Sequence, residues 1–168
     1  RHACTDDIVK EAAISKGLLF HYFGSKLGVY AFVYDYSVRY LLLELSTAVD
    51  AKETDLFTLM QQVETGKMHA MCGYPYLQPF LNRAQAENVN EALVAVEERK
   101  QQMEEAYENI YARADLGKYA AAEDVMKLRK MMELTIKGLM NERILEDAFQ
   151  PEMLYEEITE YLNLSRRL

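Results

Sequence analysis

Between Thr5 and Lys26 the chain reads TDDIVKEAAISKGLLFHYFGSK, a stretch that gathers side chains suited to gripping a polyanion. His21, Tyr22 and Lys26 are donors for phosphate oxygens, Gly17 lets a second backbone come close, and Leu18 can meet a thymine methyl group. Lys16 and Gly17 fall in the first turn of a short helix, the position from which side chains reach base edges. The chemistry on offer is groove recognition of double-stranded DNA rather than bond making.

Other chemistry is poorly supplied. His69-x-x-Cys72 sets an imidazole and a thiol one helical turn apart, but a closed metal site needs about four ligands, and the pair reads as a surface histidine beside a buried cysteine. None of His2, His21 and His69 has a Glu three residues before it, so the Glu-x-x-His pairs of di-iron bundles are missing. There is no phosphate-binding glycine loop and no nucleophile elbow. The sequence predicts neither an enzyme nor a bound cofactor.

Two helices of about two turns must position the DNA-facing side chains. The first is predicted over Thr5 to Ala12, with Thr5 as N-cap and Asp6 and Asp7 at the positive end of the helix dipole. Ser15 caps the second, Lys16 to Phe23, Gly24 ends it in a left-handed conformation, and Ser25 caps the next helix. Ile8, Ala12, Ile14 and Leu19 are placed to pack the pair together, three residues apart. These are the proportions of a helix-turn-helix.

Downstream, apolar residues recur at three and four, glycine and proline are scarce, and the reading is all-α. A long helix from Lys26 to about Val49 carries Leu27, Tyr30, Ala31, Tyr34, Val38, Leu41, Leu42 and Leu45 on one face. Asp55 caps a helix through Met71, Gly73-Tyr74-Pro75 breaks it, and a segment from Tyr76 to about Ala86 follows. A polar helix runs from Asn90 to about Leu116, and two amphipathic helices, Ala122 to about Arg143 and Pro151 to Leu164, complete the chain. Their stripes are Val125, Leu128, Met132, Ile136 and Leu139, then Leu154, Ile158, Tyr161 and Leu162.

The 168 residues suffice for one compact domain or two small ones. Two distant cysteines, no signal peptide and no run of eighteen apolar residues point to the reducing cytoplasm and away from a membrane. A net charge of -8 excludes a protein that coats nucleic acid by bulk charge. That charge is uneven: residues 1–26 carry four basic and three acidic side chains, net +1, leaving -9 on the rest. An acidic body repels DNA everywhere except at its small head.

The head resembles the helix-turn-helix of TetR-type transcriptional regulators, whose pattern runs I-x-x-x-A-G-[VI]-S-[KR]-G-x-[LF]-Y-x-[YH]-F-x-[SN]-K. Ile8, Ala12, Ile14, Ser15, Lys16, Gly17, Leu19, Tyr22, Phe23, Ser25 and Lys26 match as they stand. Three positions depart: Ala13 replaces the turn glycine, at a cost of about 1 kcal/mol in a left-handed conformation, and Leu18 and Phe20 each lack a hydroxyl found in relatives. The resemblance implies DNA contacts from Thr5, Ser15, Lys16, Gly17, Leu18, Phe20, His21, Tyr22 and Lys26. It also implies a helix before Arg1 that covers Ile8, Val9, Leu19 and Phe23; without such cover the alternative is a helical small-molecule-binding or interaction protein that does not bind DNA.

The same resemblance divides the chain into a head (1–26), a connecting helix (27–49), a ligand-binding body (50–121) and dimerisation helices (122–168). Met68, Met71, Tyr74, Tyr76, Phe80, Met103, Tyr107, Tyr111 and Met132 are the implied pocket residues for a small hydrophobic or aromatic effector, although Met and aromatic side chains at helical spacing pack a core more often than they line a pocket. The last two helices, with Gly138 in the segment TIKGLM, are expected to pair in a homodimer on palindromic operator DNA.

Overall fold

The computed structural model describes residues 4–119, 121–144 and 149–167, so Arg1 and His2 lie outside the described residues. Among the described residues eight α-helices follow one another: α1 (Thr5–Glu11), α2 (Lys16–Phe23), α3 (Lys26–Ala48), α4 (Leu56–Gly73), α5 (Leu77–Ala84), α6 (Asn90–Tyr111), α7 (Ala122–Arg143) and α8 (Pro151–Arg167). A 3-10 turn, Leu116–Lys118, lies between α6 and α7. The all-α reading holds.

Several helix boundaries follow from local chemistry. Asp55 caps α4 by accepting from the Thr58 amide at 2.8 Å, and Pro151, whose missing N–H costs nothing at a helix start, opens α8. The polar helix stops earlier than the sequence suggests. After Tyr111 the Asp115 amide donates to the Thr54 carbonyl at 2.9 Å and the Asp115 carboxylate accepts from Gly117, so a tertiary anchor and a local turn replace the next helical bonds.

Two apolar clusters share α4. One joins Tyr34, Val38, Leu41 and Leu45 of α3 to Leu59 and Val63 of α4, Leu81 of α5 and Val96 and Met103 of α6. Gly66 permits this: a Cβ there would lie 3.1 Å from the Leu45 Cα, so α3 and α4 touch nearly backbone to backbone. The other cluster joins Leu56, Phe57, Met60 and Met71 of α4 to Met132, Ile136 and Leu139 of α7 and Leu154, Ile158 and Leu162 of α8.

The second cluster revises the reading of the last two helices. Of the nine residues read as the seam between protomers, Met132, Ile136, Leu139, Leu154, Ile158 and Leu162 are buried within the chain in a cluster with α4, Val125 and Leu128 are half-buried, and Tyr161 stays exposed. A different set stays exposed: Met131 (62%) and Leu134 (60%) on α7, and Met153 and Leu164 on α8. On α3, Leu27 is exposed and Val29, which the apolar face as read left out, is buried.

Candidate nucleic-acid interface and ligand clefts

The head is built almost wholly from local bonds. α1 starts one residue earlier than read: Cys4 takes the capping position without a side-chain bond, and Thr5 is the first helical residue. At its other end Ala13 adopts φ 53°, the left-handed conformation demanded of the position that a glycine fills in the related pattern, and the Ile14 amide closes the turn on the Val9 carbonyl at 3.0 Å. Ala12, read as the small residue at the helix crossing, is exposed in this turn.

Ser15 then caps α2, its hydroxyl accepting from the Leu18 amide at 3.1 Å. Gly24 ends α2 at φ 71° and Ser25 caps α3 through the Gly28 amide at 3.0 Å. Leu19 (3% exposed) is the buried anchor of α2. Fixing Leu19 inward turns Lys16, Gly17, Leu18, Phe20, His21, Tyr22 and Lys26 to solvent, with Tyr22 the most open at 75% among the head's large apolar side chains. Ser15 is exposed but spends its hydroxyl on the cap, and Thr5 is half-buried.

Two contacts that fix the head escaped the sequence reading. Asp6 of α1 forms an ion pair with Lys16 at 2.5 Å. That hydrogen bond holds the Asp6 carboxyl below its usual range and pushes the Lys16 ammonium up. Gly28 lies so close beneath the end of α2 that a Cβ would fall 1.9 Å from the Phe23 carbonyl oxygen. A lysine ten residues from an aspartate, or one more glycine in a helix, carries no signal until the chain is folded.

The nine pocket candidates separate. Tyr74, Tyr76 and Phe80 line a surface cleft of about 460 Å³ with Val33, Tyr36, Ser37, Pro75 and Leu77, so α3 forms one wall and the α4–α5 break the other. Tyr36 and Tyr74 join hydroxyls at 2.7 Å across it. Tyr107 and Tyr111 line a different cavity, of about 290 Å³, together with Met60, Glu64, Lys67, Gln85, Arg129, Glu133 and Ile136. Met71, Met103 and Met132 are buried in the two clusters and line neither opening, and Met68 instead lies 3.5 Å from the Cys72 thiol.

Cys72 itself is exposed, not buried as read, and donates to the Glu152 carboxylate at 3.3 Å. Burial of the sulfur and the nearby Glu152 push the thiol up, away from thiolate reactivity. Among the described residues, no group of three or more His, Cys, Asp or Glu side chains is placed to hold a metal ion, and no helix is long and apolar enough to cross a membrane.

Two short helices joined by a four-residue turn, the second presenting an exposed row from Lys16 to Tyr22, define a DNA-binding helix-turn-helix head on a helical body. The family model described as "Bacterial regulatory proteins, tetR family" matches residues 2–31, which span α1, α2 and the start of α3, so the head is similar to the DNA-binding region of that family. No curated protein and no solved structure matches it significantly.

Proposed function

We propose that the chain is a ligand-responsive repressor that binds palindromic operator DNA as a homodimer and takes a small hydrophobic or aromatic effector in its body. The observation that carries the reading is the exposed row of α2 held by Leu19: Lys16, Gly17, Leu18 and Phe20 toward bases, His21, Tyr22 and Lys26 toward phosphates. The exposed apolar side chains of α7 and α8, Met131, Leu134, Met153 and Leu164, support pairing with a second copy. A two-fold dimer would set its recognition helices in major grooves about 34 Å apart or a multiple of that spacing.

The cleft beside α3 supports the effector reading. Its lining is almost wholly apolar and aromatic, and α3 is the helix that begins at Gly24-Ser25, directly after the recognition helix. An effector resting on Val33, Tyr36 and Ser37 in this cleft acts on α3, and α3 carries the head. By linkage, an effector that weakens DNA binding is itself bound less tightly by the DNA complex.

The test is selection of bound sequences from a random duplex pool by the full chain, followed by mobility shifts with Lys16→Ala. A palindromic consensus whose binding falls about tenfold or more in the variant supports the reading. Binding with no sequence preference, unchanged by Lys16→Ala, overturns it.

A further inference from the structure

The cavity between α4, α6 and α7 is chemically unlike the aromatic cleft. Its floor is apolar, with Met60 and Ile136 both buried, and its wall holds two ion pairs. Lys67 meets Glu64 at 2.7 Å, with side chains 17% and 6% exposed, and Arg129 meets Glu133 at 2.9 Å through its Nε. Each cation also lies over an aromatic ring: Lys67 5.5 Å from the Tyr107 centroid, the Arg129 guanidinium 3.9 Å from that of Tyr111. Burial opposes the Lys67 ammonium, but the Glu64 charge outweighs it and the net shift is upward, while burial pushes both tyrosine hydroxyls up. Lys67 therefore stays charged and the two phenols neutral at physiological pH.

Donors outnumber acceptors here. An arginine has five N–H donors and a lysine three. Arg129 commits only its Nε to a hydrogen bond and Lys67 makes one, to Glu64. Among the described residues the terminal guanidinium nitrogens of Arg129 and the hydroxyls of Tyr107 and Tyr111 have no hydrogen-bond partner, yet all three side chains, with that of Lys67, line the cavity. Glu133, the other carboxylate, already faces Arg129 and, at 3.6 Å, Lys130. Such a wall is completed by a ligand that brings acceptors. A planar carboxylate is the acceptor that the open end of a guanidinium holds with two parallel bonds.

We propose that this cavity is a binding site for a small monocarboxylic acid, its carboxylate held by Arg129, Lys67, Tyr107 and Tyr111 and its apolar body resting on Met60 and Ile136. The volume of 290 Å³ lies at the small end for ligand sites and equals about ten water volumes, which limits the body to a single ring or a short chain. The site spans α4, α6 and α7, whereas the cleft beside α3 is bounded by α3, α5 and the α4–α5 connection, so the two sites are separate in lining and in chemistry.

Titration calorimetry on the full chain tests this without DNA, so failure here leaves the DNA-binding reading untouched. Benzoate and hexanoate are the probes, with methyl benzoate and inorganic phosphate as comparators. At least one probe is expected to bind saturably and to lose roughly ten- to a hundredfold in affinity in Arg129→Gln, with methyl benzoate and phosphate each at least tenfold weaker. Tyr107→Phe removes one oxygen and keeps the ring under Lys67; it is expected to weaken the same probe by roughly three- to tenfold and serves as the arbiter should Arg129→Gln fail to fold. The proposal is overturned if neither acid binds, if methyl benzoate or phosphate binds as tightly as the acids, or if Tyr107→Phe binds both acids like the parent chain.

Discussion

Lys16, at the start of the recognition helix, is held 2.5 Å from Asp6 of the preceding helix, so its ammonium is engaged before DNA arrives. The contact orients α2 on α1, and it also sets a carboxylate beside the phosphates that the head must approach. Both members are about half exposed, which keeps the pair weak and readily exchanged.

Asp6→Asn is therefore expected to raise operator affinity about two- to fivefold at low salt, because Lys16 is released and one like charge is removed. The gain should shrink as salt rises, since exposed charges are screened over about 10 Å at 0.1 M. In a Lys16→Ala background the same change should give a smaller gain. Mobility shifts across a salt series measure all three, and a gain of equal size with and without Lys16 would refute the coupling.

Two glycines of the head make opposite predictions. A Cβ on Gly28 would lie 1.9 Å from the Phe23 carbonyl oxygen, a backbone atom that cannot move without displacing α2. Gly28→Ala should abolish operator binding while the body remains helical by circular dichroism. At Gly17 a Cβ would meet nothing nearer than the Ser15 Oγ at 3.8 Å, so Gly17→Ala should fold like the parent and weaken DNA binding alone. Thermal melts beside mobility shifts separate the two cases.

Features set within a few residues were legible in the sequence. The caps at Ser15, Ser25 and Asp55, the left-handed turn at Gly24 and the strained Ala13 all follow from side chain and backbone neighbours at most four positions apart. Facing was less legible, because it depends on partners far along the chain. The α7 and α8 stripes were correctly amphipathic, yet most of their apolar residues pack with α4 inside the chain, and nothing in a periodicity names its partner. The Glu64–Lys67 and Arg129–Glu133 pairs look in sequence like solvated i,i+3 and i,i+4 contacts. Only the packing of α4, α6 and α7 shows that they surround a cavity.

Asp55 links stability to pH. Its carboxylate caps α4, accepts the Tyr119 hydroxyl at 3.0 Å and meets Arg166 of α8 at 2.6 Å. Burial pushes this carboxyl up, but the Thr58 and Tyr119 hydrogen bonds and the Arg166 charge outweigh it and hold it below its usual value. A depressed folded value means that the unfolded chain takes up the proton first, so the contribution is full above about pH 5 and is lost as pH falls below about 4. Asp55→Ala should cost about 1 kcal/mol or more at neutral pH by urea denaturation, and the gap to the parent should close in acid. A gap that stays constant down to pH 3 would rule out this role.

Leu134 discriminates between packing and association. It is 60% exposed, on the same face of α7 as Met131 and Gly138, and a Cβ on Gly138 would meet nothing within 4 Å in the single chain. Leu134→Glu therefore removes little intramolecular contact and should leave the thermal midpoint of the isolated chain within a few degrees of the parent. If this face joins two copies, the new carboxylates come near their own symmetry mates and lose an apolar contact at once. Sedimentation should then give a monomer at concentrations where the parent is a dimer. Operator binding should fall with it, because two half-sites are no longer read together, whereas binding to one half-site should be unchanged. A dimer that survives Leu134→Glu and Met131→Glu together would move the interface to another surface.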